Sequence, residues 1–245
     1  MRFILYAMVI VIFCGNETVF SQQLRNILHE KAKNGHKVLS YKELWQALAE
    51  IDLVEDAGRK IRLFYTNRIQ DKTIRSVTDN NNGWNREHLW PQSRGTQKLP
   101  MKSDLHHVHP VDASVNRRRG NLDFGEDGKP EGEAPNTFIG KRNFEPRNEI
   151  KGDIARSLFY MDIRYEGRSG NPDLQLVKKF VTRKSNNVGN LCMLLIWHKE
   201  DPVDTIERNR HDRVARIQGN RNPFIDTPSV ANQLFGSKCE TRNNF

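Results

Sequence analysis

Three residue types close together in the chain could hydrolyse a phosphodiester. Glu87 and His88 sit side by side in "NREHLWPQSR", residues 85–94, and Asn116 opens the cationic run "NRRR", residues 116–119. Water attacks such a bond when a base takes its proton, and neutral histidine does this near pH 7. A hard divalent cation holds the scissile phosphate and neutralises charge on the leaving oxygen. Mg²⁺ takes oxygen ligands and keeps several waters, so one Glu and one Asn carbonyl form a workable protein set. A cation such as Arg then clamps the phosphate. One His, one carboxylate and one amide can therefore converge on a metal-bound phosphate.

The geometry sets a condition. Neighbours along a strand point to opposite faces, so Glu87 and His88 reach one phosphate only if the strand ends or bulges there. Pro91, three residues on, supplies an ending. Asp112 and Asn116 lie four apart on the following helix and share a face, with Arg119 three further on.

The elements around these residues read as helices, a few strands, then helices. "SQQLRNILHEKAKNGHKVLSYKELWQALAEIDLV" carries two helices, the second capped by Ser40 with Leu44, Leu48 and Ile51 on one face. "IRLFYTNRI" reads as a strand, residues 78–83 as a turn, and residues 84–90 as a short strand. "DLHHVHP" is extended and stops at Pro110, and residues 111–120 form a short helix ended by Gly120. Residues 123–150, rich in Gly, Pro, Glu and Asn, read as a long surface loop. In the second half Ile154, Leu158 and Met161 share an apolar face. Residues 186–198 read as a buried central helix, 201–218 as a helix capped by Asp201 with Pro202 at its first position, and "TPSVANQLFG" as a last short helix. The fold class is α+β, mainly helical, with a small antiparallel sheet.

Other polar stretches carry two readings each. His106, His107 and His109 suggest zinc, but no cysteine or HExxH spacing accompanies them, and support of the site by hydrogen bonding or packing is the plainer account. His198 and His211 read as surface or helix-end residues, and His29 and His36 as solvated. Arg117, Arg118 and Arg119 could contact phosphate or simply favour a helix C-terminus. In "RIQGNRNPF", Gln218, Asn220, Arg221 and Asn222 could grip a nucleic-acid backbone or form a hydrogen-bonded plug against the active-site strand.

The chain of 245 residues carries a net charge of +9, which favours polyanions as partners, nucleic acid being the commonest. Mean hydropathy is −0.74, that of a polar soluble protein. Twelve Phe and four Trp still supply a core. Residues 1–21 read as a secretory signal: Arg2, an apolar run over 3–13, and Val19 and Ser21 before the cleavage point. That run is about half of what spans a bilayer. Removal would take Arg2 and Glu17 together and leave the charge at +9. Cys14 would leave with it, and Cys192 and Cys239 remain as a possible disulfide pair in an exported protein.

"REHLWPQSR", "DLHHVHPVDASVNRRRGNLDFG" and "WHKEDPVDTIERNRHDRVARIQGNRNPFID" resemble the bacterial endonuclease I family, over about residues 40–236. The resemblance implies exported nucleases with a ββα-metal (His-Me finger) active site. By position it implies His88 as general base, Glu87 and Asn116 as ligands of one Mg²⁺, for which Mn²⁺ or Ca²⁺ could substitute, and an arginine holding the cleaved phosphate. Some relatives place that arginine in a cysteine-rich insertion that is missing here, so Arg94 is the first candidate and Arg119 the second. Arg86, Arg117 and Arg118 complete the cationic set around the site. The expected protein is a secreted or periplasmic, Mg²⁺-dependent, sequence-nonspecific endonuclease. It acts on DNA, with RNA as a further substrate, leaves 5′-phosphates, and works as a monomer without a membrane once the signal is gone. Its nuclease domain covers 22–245, with the finger at about 84–120 and a helical second half at about 146–236. Two other readings stand beside it: a basic nucleic-acid-binding protein without catalysis, and a metal-dependent hydrolase of small phosphodiesters.

Overall fold

The computed structural model describes residues 19–54, 58–76, 83–181 and 185–240. The charged and apolar parts of the expected signal, Cys14, and the 78–83 turn apart from Gly83 lie outside these residues.

Helix α1 covers residues 19–33 and buries Leu28 and Ala32. Helix α2, Leu44–Ile51, turns Leu44, Leu48 and Ile51 inward as the spacing predicts. Its entry is a reciprocal Ser-x-x-Glu box: the Glu43 amide donates to Ser40 Oγ at 3.3 Å and the Ser40 amide to Glu43 Oε2 at 2.6 Å. The predicted strand over 61–69 is instead a hairpin of β1, Lys60–Arg62, and β2, Ile69–Asp71, with Asn67 at φ 57° in its turn.

Strand β3, Trp84–His88, pairs antiparallel with β4, Val108–Asp112, placing Glu87 opposite His109 and His88 opposite Val108. The sequence predicts a stop at Pro110, but β4 runs through it. In a two-stranded sheet each strand has an unpaired edge, so proline's missing N–H breaks no ladder bond. The Pro110 carbonyl accepts from the Phe64 amide at 2.9 Å. Helix α3, Ala113–Arg119, follows β4 directly.

Residues 123–145 depart most from the sequence reading. They hold a four-stranded sheet of β5 (Asp123–Phe124), β6 (Lys129–Pro130), β7 (Phe138–Ile139) and β8 (Asn143–Glu145), in the order β5-β8-β7-β6. Strands of two or three residues show no alternation to read.

Helix α4, Lys151–Arg164, is buried along nearly its whole length and is the central helix. Strands β9, Gln175–Leu176, and β10, Asn187–Val188, pair in parallel. Helix α5, Leu191–Glu200, therefore starts later than predicted, and it leaves Ile196 46% exposed. Helix α6, Thr205–Gln218, is capped by Asp204, which accepts from the Glu207 amide at 2.8 Å; Asp201, the predicted cap, instead accepts from the Gly152 amide. Helices α7, Pro223–Asp226, and α8, Val230–Cys239, complete the described chain. A disulfide between Cys192 and Cys239 joins α5 to α8, with Cα atoms 5.4 Å apart. Among the described residues no helix is long and apolar enough to cross a membrane.

Two apolar clusters hold the β3–β4 ladder between them. Trp84, Leu105 and Val108 pack with α2, while Leu89, Trp90 and Val111 pack into the larger core around α4. Trp84 and Trp90 are fully buried on either side of Glu87 and His88. Truncating a buried Trp costs about 3–5 kcal/mol, so these two anchors fix the site strand firmly.

Candidate active site

Strand β3 ends at His88, which meets the condition set by its two adjacent functional side chains. Glu87 and His88 line one cleft of about 360 Å³, together with Asn116 and Arg119 of α3 and with Asn85, Arg86 and Gln92. The cleft is therefore built from one strand end, the turn after it and one face of α3.

His88 is 4% exposed, and its Nε2 lies 3.0 Å from the Lys102 carbonyl. A carbonyl only accepts, so the proton sits on Nε2 and the lone pair on Nδ1. Gln92 Nε2 donates toward Nδ1 from 3.4 Å. Burial, with His107 and Arg86 nearby, pushes the His88 pKa down to about 3. The ring is therefore neutral at neutral pH, the form a base requires.

Glu87 is 2% exposed. Its Oε1 accepts from the Tyr65 hydroxyl at 2.7 Å and pairs with Arg119 Nη1 at 3.2 Å. Burial pushes this carboxyl upward, and Arg119 and Tyr65 pull it back. Asn116 Nδ2 donates to Asn85 Oδ1 at 2.7 Å, which commits its nitrogen and leaves its oxygen as the acceptor. A carboxylate and an amide oxygen on one cleft wall suit a hard cation. Among the described residues no group of three or more His, Cys, Asp or Glu could hold a metal, so an ion bound here would take few protein ligands.

The arginines divide. Arg119 is 1% exposed and donates to the His88 carbonyl at 3.2 Å and the Leu89 carbonyl at 2.7 Å, besides pairing with Glu87. It is the floor of the cleft. Arg94, the first candidate for holding phosphate, is turned away. It is buried, pairs with Asp123 and donates to the Asn121 carbonyl at 2.5 Å, which ties the turn after β3 to β5. Arg118 pairs with Glu131 at 2.5 Å and Glu133 at 3.2 Å. Arg117 is exposed on the cleft wall. Arg86 stacks 3.6 Å from the Tyr41 ring and 4.3 Å from the Trp45 ring, and donates to the Tyr41 carbonyl at 2.6 Å. The sequence reading misses Tyr41 and Trp45. Their aromatic type four residues apart, Tyr41 just before α2 and Trp45 in its first turn, is the local signal of this wall.

In the 216–224 segment Gln218, Asn220 and Asn222 are at most 1% exposed and bond within the interior, the arrangement the plug reading expects. Gln218 Nε2 donates to Asp104 Oδ1 at 2.8 Å and its Oε1 accepts from the Leu105 amide at 2.7 Å. Asn220 Nδ2 donates to the Ala32 carbonyl and the Tyr160 hydroxyl, and Asn222 caps α7. Arg221 is exposed but bound to Asp212 and Asp226.

Asp104 is the hub of this plug. It also accepts from Tyr160 and Tyr165, each at 2.7 Å, in full burial. His106, His107 and His109 are buried as well: His106 reaches the Asn220 carbonyl, His107 the Met101 carbonyl, and His109 stacks on Phe64 with ring centroids 4.0 Å apart. His107 also packs edge-on to His88 at 5.4 Å. His211 and His29 depart from the sequence reading, since both are buried, His211 beside Asp226 and His29 on the Ile163 carbonyl.

Comparison with known proteins adds a family to this geometry. The model of the Endonuclease I family matches residues 18–229. An extracellular ribonuclease of Bacillus subtilis is 41% identical over 225 residues, covering 90% of this chain and 77% of its own. One from Bacillus amyloliquefaciens is 42% identical over 217 residues, covering 86% of this chain and 73% of its own. A periplasmic deoxyribonuclease of Aeromonas hydrophila is 29% identical over 131 residues, covering 51% of this chain and 48% of its own.

Proposed function

The chain belongs to the endonuclease I family, and from that premise we propose that it is an exported, Mg²⁺-dependent, sequence-nonspecific endonuclease of the ββα-metal kind. The observation that carries the reading is one cleft lined by His88, Glu87 and Asn116, with His88 Nε2 committed to a carbonyl and the lone pair on Nδ1. His88 Nδ1 takes a proton from water, whose oxygen attacks phosphorus in line with the leaving 3′-oxygen. The products are a 5′-phosphate and a 3′-hydroxyl. Glu87 and the Asn116 oxygen would hold Mg²⁺, which when bound neutralises charge on the phosphate and the leaving oxygen. Tyr65 and Arg119 keep the Glu87 carboxylate in place, and Asn85 keeps the Asn116 amide oriented. Arg86 and Arg117 contact the nucleic-acid backbone without reading bases. Export rests on the residue 1–21 signal pattern and on relatives named extracellular or periplasmic.

RNA stands beside DNA as a substrate, because two relatives that align over 90% and 86% of this chain are named ribonucleases, whereas the periplasmic deoxyribonuclease aligns over 51% of it. The test is one experiment. Closed-circular plasmid and a long RNA are incubated with the protein in Mg²⁺ and in EDTA, alongside His88→Ala. Cleavage that needs Mg²⁺ and falls by about 10²–10⁴-fold in the variant, with binding retained, is the expected result. Near-wild-type cleavage by His88→Ala would refute the base, and binding without cleavage in any divalent metal would favour a binding protein.

A further inference from the structure

We propose that Gln92 is a further catalytic residue, whose side-chain amide holds the attacking water against His88 Nδ1. The inference rests on the reading of His88 as the base. With Nε2 committed to the Lys102 carbonyl at 3.0 Å, only Nδ1 can accept a proton, and Gln92 Nε2 lies 3.4 Å from it. That spacing is long for a nitrogen–nitrogen hydrogen bond and leaves no room for an intervening water. The amide therefore yields the Nδ1 lone pair to an incoming water by a small torsion, and remains beside it. A water giving one proton to Nδ1 keeps a second O–H that needs an acceptor, and the glutamine amide carries both donor and acceptor groups.

The surrounding turn is built to hold this side chain still. Gln92–Arg94 is one turn of 3₁₀ helix between Pro91 and Gly95, the latter at φ 99°. Arg94 donates to the Pro91 carbonyl through its amide at 2.9 Å, and its own carbonyl accepts from Trp90 Nε1 at 2.8 Å. Its guanidinium is anchored on Asp123 and Asn121. The backbone of the turn is thus pinned from both ends, while Gln92 is half-buried on the cleft wall. Through these contacts Arg94 helps to place the glutamine.

In the step itself a water O–H bond breaks, the proton goes to Nδ1, and the oxygen bonds to phosphorus. The P–O3′ bond breaks and the leaving oxygen takes a proton from solvent. A glutamine orients the attacking water in this way in GTPases.

The test compares wild type with Gln92→Met, which keeps length but has no donor and only a weak acceptor, and with Glu87→Gln and His88→Ala. Plasmid kinetics, nucleic-acid affinity in EDTA, and turnover of bis(p-nitrophenyl) phosphate are measured for each. The aryl diester has a leaving group that needs little help. Gln92→Met should lower kcat by about 10–100-fold, with KM and affinity within about two-fold. The loss should persist on the aryl diester, because it lies in attack, whereas Glu87→Gln should recover part of its activity there. An unchanged kcat, a loss confined to KM, or recovery on the aryl diester equal to that of Glu87→Gln would overturn the proposal. If His88→Ala is inactive while Gln92→Met is not, this inference alone fails; an active His88→Ala removes the base and the inference with it.

Discussion

Arg94 and Arg119 are both buried arginines, yet the fold uses them in different ways. Arg119 neutralises Glu87 from below the cleft, and Arg94 neutralises Asp123 from within the packing. Asp123 also accepts from the Gly189 amide at 3.0 Å and the Val181 amide at 2.6 Å, so it gathers three segments. Arg94→Ala should therefore lower stability by about 3–5 kcal/mol, the cost of leaving a buried charge without its partner. Affinity for nucleic acid should stay within about two-fold at a temperature where both proteins are folded. Urea denaturation and binding titrations decide the matter: full stability with lost affinity would make Arg94 a phosphate ligand after all. The sequence could not separate the two arginines, because the partner of Arg94 lies 29 residues away. Glu87, His88 and Asn116 could be set together from the sequence because a strand end, a second strand and a short helix follow in order, and one cleft is lined by all three.

At the scale of elements, the cost of reading polarity as exposure is clear. Gln218, Asn220 and Asn222 look like a surface grip, yet they are interior: Gln218 donates to Asp104, more than a hundred residues earlier, Asn220 to the Tyr160 hydroxyl and Asn222 to the Arg156 carbonyl. A buried carboxylate without hydrogen bonds would be far too costly to keep charged. The same long-range logic hides the β5–β8 sheet, whose partners are set by pairing and not by any periodicity in 123–145. Helix lengths and apolar faces were legible where spacing repeats, as in α2 and α4. The plug is closed by backbone contact: Gly219, at φ 90°, ends α6 against Gly35, at φ 78°, and the Lys37 amide donates to the Gln218 carbonyl at 2.7 Å. A Cβ on Gly219 would collide with the Gly35 carbonyl oxygen. Gly219→Ala should thus cost about 2 kcal/mol or more, combining a left-handed conformation with a clash. The denaturation midpoint should fall while the folded fraction keeps wild-type kcat; an unchanged midpoint would mean that the two turns are free to part.

For the whole molecule, stability and charge meet in the buried histidines. The Cys192–Cys239 bridge closes 47 residues and contributes about 4 kcal/mol by limiting the unfolded chain, independently of pH in the acid range. The histidines do depend on pH. Burial pushes His106 down to about 3, lowers His107 and His211, and holds His109 well below the ordinary value. A histidine lowered in the folded state is protonated first in the unfolded chain. Its contribution is therefore complete above about pH 6.5 and is lost as pH falls from there toward 3. Asp52, Glu87, Asp153, Asp201 and Glu207, raised by burial, act in the opposite sense, because the folded chain binds their protons first. Burial lowers His36, His88 and His198 as well, and seven histidines against five acids give a net loss on mild acidification. The urea midpoint should fall between about pH 7 and pH 5. His109 offers the cleanest control, since it stacks on Phe64 and neither ring nitrogen has a partner among the described residues. In His109→Phe the slope should become shallower by up to about 1.4 kcal/mol per pH unit, one proton's worth. A midpoint that does not move with pH, or one that moves equally in both proteins, would mean that these rings take up protons in the folded chain as readily as in the unfolded one.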